Sequence, residues 1–323
     1  MGGRECRRGA LYHDGMNSPG ELKGNRVLFA GRTTVDALYW LDELPREDTK
    51  VFARAFRIAP GGPACNAAIT HAALGGRATL LSAVGRGPWA ELVRRELKRH
   101  GIALIDLAAG TDYETPLTTV LTSASTSSRT IVNPPMAKCA MTAIPDKWDA
   151  ALGEAPRVAL TDGFHLRETL PLFRTLATQG TALVLDGGSW KPGTEELAPL
   201  LTAAICSERF ALPDAVAQPE TTLKWFASQG VLYAAVTRGP RPILGLERGR
   251  RFEVAIEPVD AVDTLGAGDV LHGAFCRFFA ETGEFESSLK QAAAVATRAC
   301  CGLGIAHWAE GHAQGARQGS AEK

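Results

Sequence analysis

The 323-residue sequence predicts an α/β fold: three αβα layers with a mostly parallel central sheet, and a small β-strand lid beside it. Two observations carry this reading. First, a helical run that ends in Gly and gives way to a short β-rich apolar run recurs at "AALGGRATLLSAV" (72–84), "LKRHGIALIDL" (97–107), "LATQGTALVLD" (176–186) and "FASQGVLYAAVT" (226–237). Gly is favoured just past a helix end because it takes positive φ without strain. Helix, Gly and strand in repetition therefore describe βαβ units and a parallel sheet covered on both faces. Second, "KVFARAFRIAP" (50–60) and "TPLTTVLTSASTSSRTIV" (115–132) break that pattern. The first alternates bulky with small or charged residues, and the second is Thr-rich with a Ser-rich turn. Both read as exposed antiparallel strands of a flap assembled from pieces distant in sequence.

In chain order, residues 1–24 read as a flexible basic tail without an apolar h-region, with Met16 a candidate start. "RVLFAG" (26–31) is the first strand. One domain then spans 25–312, with lid strands from about 37–60 and 114–133, and 313–323 forms a second flexible tail. The intervals between the helix–Gly–strand units are too uneven for a solenoid.

Lys+Arg and Asp+Glu both number 35, so the formal charge is zero, which argues against a protein that coats nucleic acid. A local anion site stays open, since helix N-termini bind anions without net charge. The seven cysteines (Cys6, Cys65, Cys139, Cys206, Cys276, Cys300, Cys301) are odd in number and contain no CxxC pair. A disulfide framework is therefore not expected, and the cysteine usage points to a reducing, cytoplasmic compartment. No apolar run approaches the ~18 residues of a membrane span.

The chemistry concentrates in "DAVDTLGAGDVLHGAFCRFFAE" (260–281). The preceding "FEVAIEPVDAVD" (252–263) reads as extended chain. Beyond Asp269, Leu271, Phe275 and Phe279 recur every four residues, as do Val270, Ala274 and Phe278, which outlines a helix with a wide apolar face. Gly266, Ala267, Gly268 and Asp269 then form its first turn, where free amides and the helix dipole favour an anion. An acid beside a phosphate site makes sense if it takes a proton from a nucleophile attacking that phosphate. His272 is read as a residue that packs or bonds locally, because Asp269 already fills the base role.

Two further stretches join it. In "APGGPACNAAITHAALGG" (59–76), paired glycines precede Pro63 at a helix N1 position, and Asn66 falls in the first turn, where its amide can face a polyol. Asp36, in "AGRTTVDALYWLDELP", is placed just after the first strand, at the carboxyl edge where open α/β sheets bind ligands.

These motifs resemble those of the ribokinase/PfkB family of carbohydrate kinases over roughly residues 26–308. The DTxGAGD core stands intact as "DTLGAGD" (263–269), and the GG…N signature as "GGPACN" (61–66). "LPREDTK" (44–50), "SSRTI" (127–131), "KPGTEEL" (191–197) and "CCGLGI" (300–305) are most similar to the ketohexokinase (fructokinase) branch. The resemblance implies a ribokinase-like fold and ATP-dependent phosphorylation of a sugar hydroxyl, a ketohexose such as fructose being favoured. It implies ATP and Mg2+, with K+ as a candidate monovalent cation. A flap with one apolar face is a candidate surface for pairing with a second subunit's flap in a homodimer. The resemblance implies Asp269 as catalytic base, with the amides of Gly266, Ala267 and Gly268 as an anion hole. Asp36, Gly62, Asn66 and Arg129 are implied as sugar-binding positions. Lys191, Thr237, Gly239, Cys301 and Gly302 are implied as nucleotide-binding positions.

The chain departs from the family pattern where "CSERFA" (206–211) replaces the NxxE motif associated with magnesium, so the metal ligands stay unassigned. Pro63 removes a polar sugar contact, and "GRGPWA" (85–90) replaces a more acidic stretch. Cys300, Cys301, His307 and His312 match no ordinary zinc spacing. Trp40, Trp89, Trp148 and Trp225 are read as core or interface residues. The rival functions are a nucleoside kinase of the same fold and a non-catalytic sugar- or nucleotide-binding regulator. A dehydrogenase is disfavoured because no GxGxxG follows the first strand.

Overall fold

The structure is a computed structural model, and it describes residues 26–126, 128–135, 152, 154–302, 304 and 309. The two predicted tails, Trp148, His307 and His312 lie outside the described residues.

The main sheet has nine strands in the order β13-β12-β11-β10-β9-β8-β1-β4-β5. These are β1 (Arg26–Ala30), β4 (Arg77–Ser82), β5 (Ala103–Asp106), β8 (Val158–Thr161), β9 (Ala182–Gly187), β10 (Ala203–Ser207), β11 (Tyr233–Arg238), β12 (Arg241–Glu247) and β13 (Arg250–Val254). Seven of them, from β5 across to β11, run parallel, and β12 and β13 add an antiparallel edge. All four helix–Gly–strand units are present, ending in β4, β5, β9 and β11. β8 and β10 lack that glycine punctuation and were not singled out from the sequence.

One apolar core lies on each face of this sheet. On the first, α1 (Pro63–Ala73), α2 (Pro88–Arg99), α6 (Ala267–Thr282) and α7 (Phe285–Ala299) pack against Phe29, Leu80, Ile205 and Ala235. On the second, α3 (Leu166–Thr178), α4 (Thr194–Leu197) and α5 (Pro219–Ser228) pack against Leu28, Leu81, Leu183 and Ala204. Successive strand residues feed opposite cores, as the pleat requires, so the buried strands read as continuous apolar runs. The helix predicted after Asp269 packs through Phe275, which stacks on Phe279 at 5.1 Å and meets Phe285 edge-on at 5.5 Å. Each such fully buried side chain contributes about 1.5–3 kcal/mol. Trp40 is buried, and Trp89 and Trp225 pack against the cores. Among the described residues no helix is long and apolar enough to cross a membrane, and the five described cysteines are free.

The lid is a four-stranded sheet, β3-β2-β6-β7, made of β2 (Thr34–Leu41), β3 (Ala55–Gly61), β6 (Leu117–Ser123) and β7 (Ser128–Val132). Asp36 follows the first strand, as predicted, and sits inside β2, opposite Ala59. β3 pairs antiparallel with β2 and β7 antiparallel with β6, as predicted, but the central pair β2–β6 is parallel. The reason is topological: β2 leaves the carboxyl edge of the main sheet after β1 and β6 leaves it after β5, so both run outward in one direction. The extended segment before Asp263 is a strand only as far as Val254; beyond it Val262 N and Asp263 N both donate to Cys300 O, at 2.8 and 3.1 Å.

Candidate active site

β1 is where strand order turns: β4 and β5 lie to one side, β8 to β11 to the other. Ligands of open α/β sheets bind outside the carboxyl ends at such a point. A cavity of about 920 Å³ opens there, lined by Asp36, Gly62, Asn66, Arg129, Thr237 and Asp269 among others. Ligand pockets span about 300–1,000 Å³, and this one lies at the upper end of that range.

The two sequence motifs meet directly. Asn66 Nδ2, one turn into α1, donates to Asp269 Oδ2 at 2.7 Å across 203 residues of sequence. The paired glycines explain how. A Cβ on Gly61 would overlap the Asp36 carboxylate, and one on Gly62 would overlap the Arg32 carbonyl. Gly62 also holds φ at 92°, a region L side chains avoid. The helix bearing Asn66 can therefore start right against β1. On the other side Gly266 caps α6 at φ 70°, leaving Ala267, Gly268 and Asp269 in the first turn, with Gly266, Ala267 and Gly268 all on the cavity wall. Nothing stands within 4 Å of a Cβ built on Gly268, so the backbone there is open to a ligand.

Burial pushes the Asp269 carboxyl up to about 7; the neighbouring Asp186 charge adds to the rise, and the Asn66 amide and His272 oppose it. Asp36 is raised by burial, with partial offset from Thr34, whose hydroxyl donates to its Oδ1 at 2.7 Å, and from the Arg32 charge. His272 bonds locally, as predicted: Nδ1 lies 2.8 Å from Gly268 O and Nε2 3.0 Å from Ile205 O. It is also 3.4 Å from Asp186, whose Oδ2 accepts no hydrogen bond among the described residues.

The remaining predicted positions divide. Thr237, next to last in β11, has its hydroxyl on Cys206 O at 3.3 Å, and Gly239 turns the chain into β12; both line the cavity. Arg129 projects from β7 and donates to Thr264 Oγ1 at 3.1 Å, joining lid to motif loop. Lys191 is not on the cavity wall; its ammonium lies 4.6 Å over the Phe164 ring and bonds Ser189. Cys301 is exposed, with Sγ 3.9 Å from Thr297 O, and neither it nor Gly302 reaches the wall. Thr297 in the last turn of α7, Cys300 just past its end and Gly304 beyond do so instead.

Three acids were missed. Asp162, after β8, accepts from Arg32 N, Ala64 N and Phe164 N at 2.8–3.2 Å and so ties β1, α1 and β8 together. Asp186 is next to last in β9, and Asp263, read only as part of the motif, accepts from Trp40 Nε1 at 3.0 Å. The signal for the first two was available: each is an acid at the carboxyl end of a buried parallel strand.

For magnesium, no group of three or more His, Cys, Asp or Glu side chains is placed to hold a metal ion among the described residues, and Glu208 is held by Arg241. This donor set suits a cation that arrives hydrated on a nucleotide rather than one caged by protein.

A buried carboxylate tuned toward neutrality, beside the open amides of a helix start, is the equipment for moving a phosphoryl group onto an alcohol. Residues 25–307 match the pfkB family carbohydrate kinases, and the chain belongs to that family. It is 22% identical over 291 residues to the deoxyribokinase of Salmonella typhi, covering 86% of this chain and 93% of that one. Its fold matches the Arabidopsis thaliana ribokinase complexed with ribose and ATP (TM-score 0.72, 18% identity, 89% of this chain and 99% of that one). It also matches the Xylella fastidiosa fructokinase with bound ATP (TM-score 0.71, 18% identity, 91% and 100%). The protein is thus a carbohydrate kinase of the ribokinase-like fold, a phosphotransferase acting on an alcohol group of a sugar or nucleoside.

Proposed function

We propose that the protein phosphorylates a sugar hydroxyl with ATP, a primary hydroxyl of a ketohexose-like sugar being the favoured acceptor. The observation that carries this is the Asn66–Asp269 hydrogen bond, which sets both signature motifs at one point of the cavity. The acceptor hydroxyl points at Asp269 and gives it a proton as the oxygen attacks the γ-phosphate. A base with pKa near the working pH is favourable for that transfer. The amides of Gly266, Ala267 and Gly268 stabilise charge on the transferring group, and magnesium, carried on the nucleotide, neutralises its phosphates. Asp36, Gly62 and Asn66 hold the sugar from below, and Arg129 holds it from the lid, which excludes water.

The nucleotide lies toward Thr237, Gly239 and the α7 face at Thr297 and Cys300, with Cys301 and Gly302 supporting that wall from behind. Lys191 acts from beside Phe164 as a nearby positive charge. The kinase domain spans 25–312, lid included. The lid's outer face exposes Phe56 and Val132, at 53% and 56%, and is the surface through which a homodimer would form. Light scattering of the parent and of Phe56→Asp checks that point.

The test is ADP release across fructose, other ketoses, ribose, deoxyribose and nucleosides, with the phosphorylated position read by NMR. Turnover of ketohexoses supports the reading. Turnover of nucleosides alone would transfer the assignment to a nucleoside kinase. Binding of ATP and sugar by calorimetry with no ADP would favour a regulator.

A further inference from the structure

His272 is buried one turn past Asp269 on α6, and its ring is held at both ends by acceptors. Nδ1 lies 2.8 Å from the Gly268 carbonyl oxygen on its own helix, and Nε2 lies 3.0 Å from the Ile205 carbonyl oxygen on β10. A carbonyl oxygen has no proton to give, so each contact is a hydrogen bond only where the ring supplies it. Neutral imidazole carries one N–H and one bare nitrogen, whereas the doubly protonated ring carries two N–H groups. In either neutral tautomer a lone pair would face a carbonyl oxygen at hydrogen-bond distance, and in a buried site such a mismatch is costly.

The surroundings suit the cation. Asp186, the register neighbour of Ile205 on β9, places Oδ2 3.4 Å from Nδ1, and that oxygen accepts no hydrogen bond among the described residues. Asp269, on the preceding turn of α6, is the other acid beside the ring. Lys191 acts on Asp186, and Asp36 acts on Asp269. The thiols of Cys206 on β10 and Cys276 on α6 also feel Asp186; burial pushes both up, so they stay uncharged. The ring is thus a positive charge set between Asp186 and Asp269.

Its effect reaches the phosphoryl site through one peptide unit. The Gly268 oxygen and the Asp269 N–H belong to the same planar amide. Ala267 N donates to Thr264 O at 3.3 Å and Val270 N to Gly266 O at 2.9 Å, while the amides of Gly268 and Asp269 between them donate to nothing among the described residues. Free amides at a helix start point out beyond its N-terminal end, and here that end borders the cavity. A charged donor on the Gly268 oxygen polarises this amide and makes its N–H a stronger donor.

We propose that His272 is a positioning residue that works as an imidazolium: it clamps the first turn of α6 to β10 and polarises the Asp269 amide toward the transferring phosphoryl group. This rests on the kinase reading and adds a residue to its machinery.

Long-range 1H–15N NMR of the histidine-labelled parent reads the ring directly and needs no acceptor. The His272 signal is assigned by its loss in His272→Gln, or in His272→Asn should the first variant not fold. Protons on both ring nitrogens near pH 7 are expected, and one bare nitrogen would overturn the inference. The folded variant should also lose roughly tenfold or more in kcat, with KM for ATP and acceptor little changed; losing a donor placed directly on an oxyanion costs about 10²–10³-fold, and this ring acts through one amide. The inflection of kcat/KM with pH should move up, because the variant lacks the positive charge beside Asp269. A purely architectural ring would lower Tm and leave kcat and the inflection where they are, and that result would overturn the inference. A parent that transfers phosphate to no acceptor would overturn the kinase reading, while the ring spectrum still decides the charge.

Discussion

Asn66 and Asp269, 203 residues apart in sequence, are joined by a 2.7 Å hydrogen bond from the amide of one to the carboxylate of the other. That contact couples the starts of α1 and α6, fixes the rotamer of the proposed base, and opposes the rise that burial imposes on its proton affinity. Replacing Asp269 with Asn keeps the shape and an oxygen for Asn66 but removes the base. Asp269→Asn is expected to fold normally and lose roughly 10²–10⁴ in kcat.

The same substitution should stabilise the protein above neutrality. A carboxyl raised to about 7 in the folded state, against a reference of 3.8, binds its proton more tightly when folded. Its contribution is fully present below the unfolded value and is lost as pH rises through the folded one. At pH 8 Asp269→Asn should therefore exceed the parent by on the order of 1–3 kcal/mol, and near pH 4 the gain should vanish. Thermal melts at both pH values check the sign.

The pH profile gives an independent handle. The base works deprotonated, so kcat/KM should rise with pH through an inflection near 7, the value to which Asp269 is pushed. Asn66→Ala removes a donor to the carboxylate and should move the inflection up. Asp186→Asn removes a neighbouring negative charge and should move it down.

The tight start of α1 predicts a stability loss. Gly62→Ala would force a Cβ into the Arg32 carbonyl at a φ of 92°. A cost of about 1–3 kcal/mol should lower Tm by roughly 3–10 °C.

The lid is tied to the motif loop by Trp40, whose indole N–H satisfies buried Asp263 at 3.0 Å. Trp40→Phe leaves that oxygen without its donor at about 1–3 kcal/mol. The urea midpoint should fall while the slope stays unchanged.

These relationships differ in how far the sequence exposed them. Glycine after each of four helices and the apolar period beyond Asp269 are local signals, and the corresponding elements form as predicted. The motif "DTLGAGD" marked the α6 start because its glycines serve one local turn. That Asp36 lies within a strand was not legible locally, because the partner of "TTVDALYWL" is β6, eighty residues away. Asp162 and Asp186 each stand at the carboxyl end of an apolar strand run, a local signal, but what brings those two ends together is strand order, which periodicity does not encode. The inward turn of Cys300 rather than Cys301 is a matter of helix phase, and one residue of phase is about 100°.

The central claim is that Asp269 removes the proton from a sugar hydroxyl as it takes the γ-phosphate of ATP. Single-turnover transfer of labelled γ-phosphate to the best acceptor, for the parent and for Asp269→Asn at saturating ATP and sugar, measures that step alone. The account predicts labelled sugar phosphate from the parent and a rate roughly 10²–10⁴ lower in the variant, with both substrates still bound. A variant that transfers phosphate at nearly the parent rate would contradict it.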